Sequence, residues 1–205
     1  MKRAKKTTRR ALIGLALGLS IAGAGFARAL DPPVGDSEVI ELLSGISFVP
    51  GKTSIDQVLG SEAVNELISI AEDELITFDS GMRIRALHAL ALYKDSPDQS
   101  AVTASLRRTI NRFASNDRGV ELLYLRASML SLARVEEANV VGELVPLLSH
   151  QSRDIRAACA QALGITASGA ATQPLRDRAL IEEQPQVQFA IDEALFVLGL
   201  AQEGT

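Results

Sequence analysis

Catalysis and metal binding need groups that titrate, attack or ligate, and this chain of 205 residues has only two histidines and one cysteine for those roles. His88 would serve as a general base or a metal ligand. A metal site needs further donors within reach, and on a helix those lie three or four positions away. Those positions hold Ile84, Arg85, Ala91 and Leu92. His88 therefore reads as a core-edge histidine. His150 closes a predicted helix, where a cation suits the helix dipole. Cys159 has Ile155, Ala158, Ala162 and Leu163 at helical spacing. Apolar surroundings raise a thiol pKa and make it inert, so Cys159 reads as a small hydrophobe in a tight helix contact. No glycine-rich phosphate loop, Cys-x-x-Cys, His-Glu-x-x-His or Ser-His-Asp arrangement is recognisable. No catalytic residue, cofactor or metal site is expected.

The charged residues are more numerous. Glu72, Asp73 and Glu74 gather with Asp79 between two predicted helices. They lack the Asp-x-Asp-x-Asp-Gly spacing of a calcium loop and read as a solvated helix end. Arg107, Arg108 and Arg112 share one predicted helix, and Arg176 and Arg178 share another. Guanidinium forks recognise carboxylate and phosphate bidentately, which makes these five the candidate partner-binding residues. The competing reading is a set of surface arginines paired with nearby Asp and Glu.

The elements that carry these residues recur. Apolar positions at three- and four-residue spacing place a stripe along one helix face. Ile84, Leu87, His88, Ala91 and Leu92 form one stripe. Leu125, Ser128, Met129, Leu132 and Ala133 form the next. Ile155, Ala158, Cys159, Ala162 and Leu163 form a third, and Val187, Ala190, Ile191, Ala194, Leu195 and Leu198 a fourth. The copies are offset by 41, 30 and 32 residues, with Arg85, Arg126, Arg156 and Gln188 aligned just after the first stripe residue. Second helices are predicted between them. Their stripes are Val102, Leu106, Ile110 and Phe113; Val141, Leu144, Val145 and Leu148; and Leu175, Ala179 and Leu180. Pro146 predicts a kink or a later helix start. A unit of this length, repeated, is the signature of a helical solenoid.

DIRAACAQALG at 154–164, with looser copies MRIRALHALALY at 82–93 and QPQVQFAIDEALFVLG at 184–199, resembles the HEAT-repeat superfamily, in the short bacterial form similar to phycobilin-lyase-type repeats. The resemblance implies an all-α fold, a short α-α superhelical solenoid of HEAT-like helix pairs. It implies that the second helix of each pair lines the concave side, which would point the five candidate arginines into a groove. It also implies that the recurring Asp and Arg bridge neighbouring repeats. It is specific to architecture and not to activity. The His-Glu pairs with which the HEAT-repeat deoxyhypusine hydroxylases hold iron are absent here: Ala89 and Gln151 follow the two histidines. Residues 61–199 are the expected repeat domain, with 200–205 as a tail. Residues 30–60 show no clean repeat and are expected to form a linker and N-terminal cap, with short helices over Glu38–Leu43 and Ser54–Leu59. A further helix is expected over Ser61–Leu75.

The first ten residues carry six bases, an uncharged run follows over 11–26, and Ala27-Arg28-Ala29 is a small-x-small site. That order predicts a secretory signal peptide over 1–29, cut between Ala29 and Leu30. Thr8–Ile13 partly matches a twin-arginine export signal. Without 1–29 the chain keeps 14 basic and 25 acidic residues, formally −11, and residues 30–79 hold 11 acids against Lys52 alone. Such a balance repels phosphate backbones, so nucleic acid is not an expected partner. One cysteine permits no internal disulfide, so core burial must stabilise the fold. The expected protein is a periplasmic or secreted monomer with no membrane span after cleavage. It acts as a scaffold or adaptor for a protein partner. The alternative is an accessory subunit or enzyme using a groove pocket, lyase-like or small-ligand binding.

Overall fold

A helix with one apolar stripe is stable in water only when another element covers that stripe. The computed structural model of the chain describes residues 34–44, 49–74 and 77–203, and all regular structure among them is helical. The expected leader, its cleavage site at Ala29 and Leu30, and the Pro32-Pro33 linker lie outside the described residues. No helix among the described residues is long and apolar enough to cross a membrane.

Helix α1 (Val34–Ser44) and α2 (Lys52–Leu59) come first, and a 3-10 turn at Gly60–Glu62 leads into α3 (Ala63–Ala71). Then follow α4 (Ser80–Leu90), α5 (Gln99–Phe113), α6 (Glu121–Glu136), α7 (Val141–Leu144), α8 (Arg153–Ile165), α9 (Thr172–Ala179) and α10 (Pro185–Glu203). Asp79 starts α4 by accepting the Met82 amide on its Oδ1 at 3.0 Å. That satisfies one of the amides a helix N-terminus leaves open. The segment 137–149 is a 3-10 turn, the short α7 and a second 3-10 stretch that contains Pro146. Instead of the expected kink or later helix start, α7 ends at Leu144, before the proline, whose missing N–H cannot continue the helical ladder.

Helices α4, α6, α8 and α10, the front helices, pack on one another in chain order, and α3, α5, the 137–149 segment and α9, the rear elements, each pack on one or more of them. Each rear element packs most closely on the front helix that follows it: α3 on α4, α5 on α6, 145–149 on α8, α9 on α10. The chain thus passes from each rear element to the front helix it packs on, beginning with α3 and α4. Leu125, Met129 and Leu132 of α6 are fully buried between α4, α5 and α8. Removing a side chain of this kind from water contributes about 1.5–3 kcal/mol.

The stripes of α5, α6, α8 and α10 are buried as expected, apart from a half-buried Leu195. That of α4 is rotated. Met82, Ala86, Leu87, Ala89 and Leu90 are buried, while Ile84 and His88 are half-buried and Leu92 is exposed. Helix α4 packs against α1, α3 and α6, and residues outside the stripe are buried in those contacts. Leu180 is also misplaced by the spacing argument. It follows the last turn of α9 and stands 85 % exposed.

Candidate functional site

The candidate arginines and the acidic cluster turn out to be two halves of one arrangement. Helix α5 lies against the end of α3, so Arg108 donates to Glu72 Oε1 through Nη2 at 2.7 Å and Nε at 3.1 Å. Ser105 donates to the same oxygen at 2.5 Å. Arg112 meets Glu74 at 2.7 Å. Arg107 turns the other way and grips Glu143 with three bonds of 2.8–3.1 Å, with Glu136 at 3.5 Å. The Asp73 carboxylate accepts the Phe78 amide, and Asp79 is spent on the α4 cap. The cavity between Arg108, Arg112, Glu72 and Glu74, about 290 Å3, is therefore lined by two matched charge pairs and by Arg83, which donates to the Ala71 carbonyl. Reversing Arg107, Arg108 or Arg112 would set carboxylate against carboxylate, so lost binding in such a variant would report a strained fold as well as a lost site.

Arg178 sits in the most buried ionic group among the described residues. Glu182 is 5 % exposed and takes both forks of Arg156, at 2.8 and 2.9 Å, and two bonds from Arg178, at 2.5 and 2.9 Å. The guanidinium of Arg156 dominates, and with Arg178 it holds the Glu182 carboxyl down at about 2. Arg156 also donates to the His150 and Gln151 carbonyls at 2.9 Å. Thirty-two residues on, Gln188 donates to the Glu182 carbonyl at 2.6 Å, the same bond to a carbonyl six residues earlier. Gln186 reaches Asp154 at 3.2 Å across that same interval. Arg85 donates to the Leu43 carbonyl at the end of α1. Three of the four aligned polar residues thus tie a front helix to the chain before it. Arg176 is exposed and takes no part in these groups.

His88 and Cys159 are placed far apart in role. The Cys159 Sγ donates to the Leu144 carbonyl at 3.1 Å, and burial pushes its pKa well above the ordinary thiol range. Among the described residues no group of three or more His, Cys, Asp or Glu could hold a metal ion. His88 lines a cavity, and burial, then the charges of Arg134 and Arg126, hold its pKa below 6.5. A group whose folded pKa is lowered contributes stability above its unfolded pKa, which is lost as pH falls through the folded value. His88→Leu is therefore expected to leave the fold intact at pH 7, and to lessen the drop in melting temperature between pH 7 and pH 5.5. A drop as large as that of the unaltered protein would show that His88 is not the group responsible.

The front helices present an outward row that spacing arguments passed over. It runs Ile84 and His88 on α4 and Leu92 in the turn after it; Arg126, the nearly buried Leu130 and Arg134 on α6; Gln161 and Ile165 on α8; Phe189, Glu193 and Val197 on α10. Arg126 and Arg134 are exposed, and among the described residues neither makes an ion pair; Arg134 donates only to the Leu130 carbonyl of its own helix, at 3.1 Å. A signal existed for Arg126, which has no acid three or four positions away on either side. Two depressions meet at Arg134. One, of about 440 Å3, is bounded by Val49, Pro50, Gly51, His88, Ala91 and Leu92. The other, of about 370 Å3, lies over Leu130, Gly164, Ile165, Ala190, Ala194 and Val197, with Gln161 and Glu193 at its rim. No residue of a rear element lines either one. No family model matches this chain, and no curated protein shows significant similarity to it.

Proposed function

We propose that this chain is an exported, HEAT-like repeat protein that serves as an adaptor for a protein partner and has no catalytic chemistry of its own. In this reading the rear and front helices form four pairs stacked as a short solenoid, with α1 and α2 as its N-terminal cap. The repeated bond from Arg156 and Gln188 to a carbonyl six residues earlier supports a shared repeat geometry. A basic, apolar leader supports export to a periplasm-like compartment or beyond. The observation that carries the adaptor reading is the outward row of the front helices. It spans four elements, and among the described residues it leaves Phe189, Val197, Arg126 and Arg134 in solvent. A stacked array creates extended surfaces of this kind, and they suit a macromolecular partner better than a small substrate.

In-cell crosslinking followed by capture through a tag after Thr205 tests the reading. A single dominant protein partner is expected. If no protein is crosslinked, the adaptor reading falls. A small-ligand or enzymatic role for the cavity beside His88 then replaces it.

A further inference from the structure

We propose that the outer face of α6, with the depressions on either side of Arg134, binds an acidic, apolar segment of a partner protein. The inference rests on the adaptor reading and names its surface and the chemistry of its partner. The juxtaposition of Arg134 with two apolar depressions carries it, with Arg126 exposed eight residues earlier on the same helix.

The outward row is distinguished by its charge. Outside residues 1–29 the chain is formally −11, and Arg107, Arg108, Arg112, Arg156 and Arg178 are each matched by a carboxylate. Among the described residues Arg126 and Arg134 have no carboxylate partner; nor has Arg176, but it lines neither depression. They stand eight residues apart on one helix face, about 12 Å at 1.5 Å per residue, with Leu130 between them. Exposed guanidinium forks without a carboxylate are complementary to Asp or Glu side chains brought by a ligand. His88 adds a neutral imidazole at the wall of the same depression. The flanking surface is apolar, from Val49, Pro50 and Leu92 on one side to Ile165 and Val197 on the other.

That surface crosses four neighbouring helices. Three spacings of roughly 8–10 Å give about 25 Å, the length of seven or eight extended residues. A lone small anion would meet the arginines and leave most of this surface wet. A segment that sets a carboxylate on Arg134, with apolar side chains in both depressions, would cover it. Glu193 at the far rim favours a basic or amide side chain at that end of the ligand. A second copy of this chain is disfavoured by like charge.

Random peptides displayed on phage are selected on the purified protein. The most enriched are synthesised and titrated against the unaltered protein, R126E/R134E and R126K/R134K. Enrichment of Asp or Glu between apolar residues is expected, with binding at least ten-fold weaker to R126E/R134E and largely kept by R126K/R134K. Both arginines are exposed and unpaired, so the melting temperatures of the three proteins should agree; R126Q/R134Q repeats the test without charge reversal. Equal binding to both R126E/R134E and R126Q/R134Q, enrichment of basic peptides, or no enrichment would overturn the proposal. A dimer in sedimentation that R126E/R134E abolishes would overturn it too, making a second copy the occupant. A partner still crosslinked in cells by R126E/R134E would leave the adaptor reading standing and remove this surface from it.

Discussion

Glu182→Gln should destabilise the protein by about 3–5 kcal/mol, the usual cost of breaking a buried ion pair from one side. The side chain of Glu182 is 1 % exposed, and those of Arg156 and Arg178 are 12 % and 16 % exposed. The amide would leave two nearly buried guanidinium groups with no countercharge. The direction of the pH effect follows from the carboxyl pKa of about 2, below its ordinary 4.5. A lowered folded pKa contributes stability that is whole above the unfolded pKa and lost as pH falls through the folded one. The shift corresponds to about 3 kcal/mol, and more than half of it should be gone by pH 3. Urea unfolding at pH 7 and pH 3 checks both points. The gap between the unaltered protein and Glu182→Gln should be wide at pH 7 and narrow at pH 3. A gap under about 1 kcal/mol at pH 7 would mean that the group contributes no more than a surface pair. Replacing Arg156, Arg178 and Glu182 together by apolar residues should restore only part of the loss. Arg156 also satisfies the His150 and Gln151 carbonyls, and these would lose their donor.

The helices were legible from apolar spacing, their buried faces only in part. In α6, α8 and α10 the stripe picked from spacing is buried, Leu195 half so, although α6 lies between α4, α5 and α8 and buries most of its other residues too. In α4 the stripe is only partly buried, since Ile84 and His88 are half-buried and Leu92 is exposed. The Arg108–Glu72 and Arg112–Glu74 pairs were visible as two separate clusters, 36 and 38 residues apart. That they neutralise each other depends on how α5 lies on α3, which local pattern does not encode. Arg83 was missed altogether. It is buried, donates to the Ala71 carbonyl at 3.3 Å and stacks over Tyr124 at 4.4 Å, so its charge is satisfied by groups that have no sequence signature. The outward row was hidden for a related reason. Arg126 carried a local signal, but Arg134 has Glu137 three positions on, so that it lacks a partner shows only after the other charges have found theirs.

Gly164→Val should cost about 2–3 kcal/mol, at the upper end of ordinary overpacking. A Cβ at Gly164 would lie 3.1 Å from both the Cα and the Cβ of Ala194, so α8 and α10 approach there almost backbone to backbone. Valine gains a few tenths of a kcal/mol over glycine in helix propensity, far too little to offset that clash. Gly142 supplies the contrast, since nothing lies within 4 Å of its Cβ position. Gly142→Ala should be neutral or stabilising by up to about 1 kcal/mol. Thermal melts compare the two, and Gly164→Val should melt roughly 5–10 °C lower. If Gly164→Val melts like the unaltered protein, the helices are not in close approach and the floor of the second depression is wrongly described. That floor ties the prediction to binding. Gly164 and Ala194 both line the depression beside Arg134, so a valine there would also fill it. Well below its melting temperature, Gly164→Val should still bind acidic apolar peptides through Arg126 and Arg134, but more weakly and with the selectivity for apolar residues on the α8 side lost.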